Sequence, residues 1–257
     1  MNNNLYFLFC VFLFNTLLSI QICNAGNADT LDKKENSLTL SFSQDPAFGF
    51  YPSVNGYNQI NDTWAFTYYG VFWTQDLLGG NQGGLNLPVE LGIGIDYSLF
   101  DGIVSINPVI GVGHGNYQSG GGRPVIFDDI VPAIFVILSS RKSTYEFGSV
   151  NWLSLRKESN TEPLRNQFEN YLITNHQLTK LFSYGLYIDL FSTSDKYPSG
   201  KIESEISALW IGPSFSFTSN SSANLWFSLG ADLVDYAKKI NNPKIKDFYK
   251  LVLKFEI

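Results

Sequence analysis

Cysteine and histidine are nearly missing from this chain of 257 residues, which has two of each. Both cysteines, Cys10 and Cys23, precede Gly26, so nothing beyond that point can form a disulfide or offer a thiolate. That excludes a disulfide-stapled scaffold and a cysteine-ligated metal centre for the rest of the chain. With only His114 and His176 left, a zinc enzyme would have to rely on carboxylates, and no metal or other cofactor is expected. Charged residues make up 16% of the chain, and its net charge of −6 is dispersed rather than blocked. No basic stripe for nucleic acid results. Beyond residue 22 there is also no apolar run long enough for a membrane helix.

Residues 5–22 are the exception, a nearly continuous apolar stretch closed by Cys23-Asn24-Ala25. It resembles a secretory signal peptide with a small-residue cleavage site, which puts the mature N-terminus at or near Gly26. Met1-Asn2-Asn3-Asn4 departs from that pattern by lacking Lys and Arg, and an uncleaved anchor is the alternative. Lipoprotein processing at Cys23 is not expected, because Ile20-Gln21-Ile22 lacks the small residues it requires. The expected organisation is a leader over 1–25, a polar periplasmic tail over 26–36 and one β domain over 37–257.

Within that domain, apolar and polar residues alternate. Val89, Leu91, Ile93, Ile95, Tyr97 and Leu99 interleave with Glu90, Gly92, Gly94, Asp96 and Ser98. The pattern recurs around Val104–Val112, Phe182–Leu190, Leu209–Phe217 and Leu225–Leu233. Side chains of a strand alternate between its faces, so each segment reads as a strand oily on one side. The runs are about nine to twelve residues, the span of a tilted membrane strand, whereas soluble strands cluster near five or six. Connections alternate short and long from residue 75 onward. The short ones are 100–101, 139–143, 179–181 and 218–222; the long ones are 75–86, 114–124, 157–164, 193–202 and 237–246. Outer-membrane barrels have short periplasmic turns and long outer loops. Two further strands, 38–43 and 48–57 joined by a tight turn at Gln44-Asp45-Pro46-Ala47, complete the parity. The expectation is an all-β antiparallel up-and-down transmembrane barrel of twelve strands, with ten the alternative.

Tyr249, Leu251, Leu253, Phe255 and Ile257 take every second position up to the terminus, with Lys250, Lys254 and Glu256 between them. This resembles the C-terminal insertion signal of bacterial outer-membrane β-barrels, although that signal usually ends on an aromatic and here ends on Ile257. The resemblance implies outer-membrane lipid and the barrel-assembly machinery as partners. Residues 40–52 with Tyr69-Gly70-Val71-Phe72-Trp73-Thr74 look like an uncharacterised family of such barrels with no assigned activity. That implies an architecture in the size range of nucleoside and oligosaccharide channels. Trp64, Tyr68, Tyr69, Phe72, Trp73, Trp152, Tyr236, Phe248 and Tyr249 cluster near strand ends and are expected in interfacial girdles.

Glu90, Asp96, Glu146, Asp189, Asp232, Lys250, Lys254 and Glu256 are expected to face the lumen. Acids outnumber bases there, a bias toward cations or neutral polar solutes. The Gly-rich stretches 79–84 and 113–122 do not sit between a strand and a helix, and read as outer loops rather than phosphate cradles. His114, at a predicted outer rim, is the one candidate for catalysis, with Asp128, Asp129 or Ser119 as partner. The comparison is with phospholipase and lipid A deacylase barrels, whose Ser and His motifs are not matched. Asp128 and Asp129, adjacent on a strand, would point to opposite faces. His176 reads as a polar residue near a periplasmic turn. The leading expectation is a non-enzyme: a passive channel for small polar solutes, or a closed structural barrel. An outer-membrane lipid hydrolase and a secreted soluble β protein are the alternatives.

Overall fold

The computed structural model describes residues 36–73, 89–115, 118, 125–155, 163–219, 222–240 and 243–257. The leader, the 26–35 tail and most of the long 75–86, 114–124 and 157–164 connections fall outside them.

Twelve antiparallel strands close into a barrel in which each pairs with its sequence neighbours, and the first pairs with the last. They are β1 (Asn36–Asp45), β2 (Gly49–Gln59), β3 (Trp64–Phe72), β4 (Val89–Leu99), β5 (Val104–Gly115) and β6 (Val125–Ser139). The second half comprises β7 (Ser143–Ser154), β8 (Leu164–Gln177), β9 (Phe182–Lys196), β10 (Ile202–Thr218), β11 (Ala223–Asp232) and β12 (Lys246–Glu256). One short helix, α1 (Val234–Ala237), lies between β11 and β12. Closure satisfies the edges that β1 and β12 would otherwise expose. Thr39 to Gln44 pair with Glu256 to Leu251, and the Ile257 amide donates to the Leu38 carbonyl at 2.9 Å. Both ends of the barrel sequence therefore lie at one rim, termed here the terminal rim; the opposite one is the distal rim.

Alternation decides which side chains face out. Leu91, Ile93 and Ile95 of β4 are exposed, while Glu90 and Asp96 between them are buried. Ile110, Ile134 and Leu229 continue the apolar outer surface on other strands. A surface of this kind suits hydrocarbon, and closure pairs every strand with a neighbour on both sides. From Ile130 to Leu138, β6 is apolar on both faces, and its inward Val131 and Ala133 pack with Val109, Val150 and Trp152 in an internal cluster.

Two details differ from the sequence reading. The β9–β10 hairpin stays paired out to Lys196 and Ile202, which shortens the connection expected over 193–202. On β6, Phe127 has φ 59°, and the register with β5 shifts between Gly113 and Gly115. This bulge leaves both Asp128 and Asp129 buried, where uninterrupted alternation would have separated them.

Candidate functional site

The first turn shapes the lumen. Strand β1 runs on through Asp45, and the Asp45 carboxylate accepts the backbone amides of Ala47 (3.0 Å) and Phe48 (2.8 Å). Such an Asx-type turn is compact, and Gly49 completes it with φ 68°. Tyr51 donates its hydroxyl to the other Asp45 oxygen at 3.1 Å. The result is a tight turn at the distal rim, folded so that Phe48 enters the barrel.

Inside, Phe48 touches four rings from different parts of the wall. Its centroid lies 5.1 Å from Trp73, 5.4 Å from Phe191, 6.1 Å from Tyr51 and 6.2 Å from Trp152. Those rings also meet in sequence around it: Tyr51 with Trp73 at 4.9 Å, Trp73 with Trp152 at 6.2 Å, and Trp152 with Phe191 at 6.3 Å. Phe48 thus fills a cage of its own side chains across the lumen.

Glu90 lies beside that cage. It is buried and accepts three neutral donors: the Tyr69 hydroxyl at 2.6 Å, Trp152 Nε1 at 2.8 Å and Trp73 Nε1 at 3.3 Å. The carboxylate therefore orients two walls of the cage. A second cluster surrounds Lys250 of β12, whose ammonium donates to the Tyr187 hydroxyl at 3.0 Å. Tyr187 in turn donates to Asp189 at 2.6 Å, and Asp45 and Glu169 each lie 3.8 Å from the ammonium. Lys250 holds the first turn to the far wall through Asp45.

A cavity of about 720 Å³ runs from Phe48 and its cage toward the terminal rim. Its polar lining there includes Thr39, Asn55, Thr67, Asn107, Asn175 and Asn224. Gln118 fills part of the distal wall, with its amide on Gln167 (2.8 Å) and its backbone N–H on Asp128 (2.8 Å).

Of the residues expected in the lumen, Glu90, Glu146, Lys250, Lys254 and Glu256 line this cavity. Asp96 is buried near the terminal rim and accepts the Ser105 hydroxyl. Asp189 belongs to the Lys250 cluster. Asp232 accepts the amides of Leu209 and Val234 and so holds the entry to α1. Tyr249, Leu251 and Phe255 are exposed on the outer face of β12, and Ile257 is exposed at its end.

His114 is exposed and pairs with Val89, whereas Asp129 faces Gly113, its neighbour on the opposite side of β5. The structure does not bring that histidine and Asp129 together, and Ser119 lies outside the described residues. His176 shares a hydrogen bond of 2.9 Å with Ser143 beside a terminal-rim turn. Among the described residues, no cluster of three or more His, Cys, Asp or Glu is arranged to hold a metal ion.

The girdle expectation fails for Tyr69, Trp73, Trp152 and Phe248, which pack inside. Trp64, Tyr68, Phe72, Tyr236 and Tyr249 are exposed. Phe48, Tyr51, Phe191, Asp45 and Glu169 went unnoticed in the sequence as parts of a site. The one local signal was a large aromatic set directly between Asp45-Pro46-Ala47 and Gly49.

Geometry and connectivity define an all-β, closed, twelve-strand antiparallel barrel with an apolar outer face. The chain belongs to a family of unknown function, DUF6733, whose model matches residues 1–257. No curated protein matches it. Among solved structures it is similar to the COG4313 outer membrane channel from Pseudomonas putida F1, at 14% identity and a TM-score of 0.53, covering 91% of this chain and 100% of that one. It is also similar to the NanC porin, at 9% identity and a TM-score of 0.50, covering 86% of this chain and 100% of that one. At such identities the likeness is one of fold.

Proposed function

We propose that the chain is an outer-membrane barrel that passes small polar solutes through a narrow lumen, with Phe48 and its cage as the constriction. The observation that carries this reading is the 720 Å³ cavity whose lining reaches from Thr39, Asn55, Asn107 and Asn224 near the terminal rim to Phe48 and its cage. Directional hydroxyl and amide groups facing a lumen can replace part of a solute's hydration, which a plugged structural core would not need. The terminal rim is periplasmic in this reading, since short turns gather there and longer connections at the other rim. Residues 1–25 direct export and are removed, while outer-membrane lipid and the assembly machinery are the partners of the outer surface and of the last strand. Hydrolysis is the weaker reading, because the exposed His114 faces away from Asp129.

Planar-bilayer recording of the refolded barrel tests the channel. Discrete conductance steps are expected, larger in Phe48→Ala than in the natural chain. Silence from both, with each shown to be folded by heat-modifiable gel migration, would replace the channel with a closed structural barrel.

A further inference from the structure

We propose that the cage occupied by Phe48 is a binding site for alkylammonium cations, entered when the β1–β2 turn swings the Phe48 ring out. This rests on the channel reading, to which it adds a solute class.

The first argument is position. A cation seated where the Phe48 ring now lies would have four aromatic centroids at 5.1 to 6.2 Å. Cations gain from ring faces within about 6 Å, most from indole, and two of the four rings are indoles. The second argument is charge. Glu90 is buried beside both indoles and receives only neutral donors. Asp45 and Glu169, by contrast, have the Lys250 ammonium 3.8 Å away. A buried carboxylate whose hydrogen bonds come from uncharged groups gains no counter-charge from them, and a cation nearby would favour its charged form. The third argument is the occupant. Phe48 is placed by a three-residue turn, 46–48, rather than by a strand, so the ring can leave without breaking the barrel ladder. An apolar ring satisfies the cage walls but brings Glu90 no counter-charge, whereas an alkylammonium ion does both. An anion would meet the aromatic faces and the carboxylate with repulsion.

The test is a titration of tryptophan emission in the refolded barrel in detergent micelles. Tetramethylammonium chloride is the probe, with sodium chloride at equal ionic strength as control. Phe48→Ala removes the competing ring and should bind tetramethylammonium about tenfold or more tightly than the natural chain. Adding Glu90→Gln should return binding to the weak level. Adding Trp73→Leu, which removes a wall and leaves the carboxylate, should do the same and provides the readout if Glu90→Gln fails to fold. A folded Phe48→Ala with no tetramethylammonium-specific change overturns the site, as does a change that survives both second substitutions. Bilayer recording separates the two readings. A conducting Phe48→Ala that tetramethylammonium does not block overturns the cation site and leaves the channel. A silent Phe48→Ala that binds the probe overturns the channel and leaves the site.

Discussion

The Lys250 ammonium donates to the Tyr187 hydroxyl at 3.0 Å, joining β12 to β9 although β10 and β11 lie between them in the wall. Asp45 and Glu169 share the same ammonium. Lys250→Met would leave these buried acids without a cation. Breaking one side of such a cluster costs on the order of 3–5 kcal/mol. The urea midpoint in micelles should fall accordingly, while Lys250→Arg should retain most of the stability. An unchanged midpoint in Lys250→Met would show that the cluster does not tie the wall together.

Tyr69 lies over Gly92 and Gly111, and a Cβ on either glycine would collide with its ring. Gly92→Ala must therefore push Tyr69 away from Glu90. Overpacking of this kind costs about 1–3 kcal/mol. Paired with Tyr69→Phe, which keeps the ring and removes only the hydroxyl, Gly92→Ala should be the more destabilising change. The reverse order in urea titration would mean that the wall relaxes at Gly92.

Ile93 points outward from the middle of β4 and is 53% exposed. In a bilayer, Ile93→Lys should cost about 2–4 kcal/mol if it lies near the midplane. Thr67→Lys, placed on the cavity wall beside Asn107, should be tolerated far better. Folding yields into phospholipid vesicles distinguish the two, and equal yields would argue that the outer face does not meet lipid.

The last strand completes closure through its pairs with both β1 and β11. Deleting residues 249–257 opens both neighbours as edges and should abolish heat-modifiable barrel in outer-membrane fractions. Ile257→Phe keeps the ladder and should assemble at least as well as the natural chain. A deletion variant that still assembles would remove the last strand from the assembly signal.

The face of each residue was legible wherever the pattern stayed regular. Glu90 and Ile93 fall on opposite sides of β4 because successive side chains of a strand must, and turn-forming residues punctuate the strands. The strand count followed from the same information, including the tight first turn. Regular counting broke down at Asp128 and Asp129, where one bulge reset the faces. It also gave no way to tell rim aromatics from lumen aromatics. Trp73 and Trp152 lie near strand ends, as interfacial residues do, yet their Nε1 groups reach Glu90 inside.

Sequence by itself therefore determined the barrel: twelve strands, their order and direction, and the oily outer surface. These are consequences of a two-residue period and of local turn chemistry, both written within a few neighbouring positions. Only the tertiary structure decided what the lumen holds. Phe48 meets Trp152 and Phe191, and Asp45 meets Lys250 and Glu169, because closing the barrel brings strands from opposite sides of the sequence face to face. Contacts across a lumen depend on its width and on how far a turn folds inward, and no local pattern encodes either quantity.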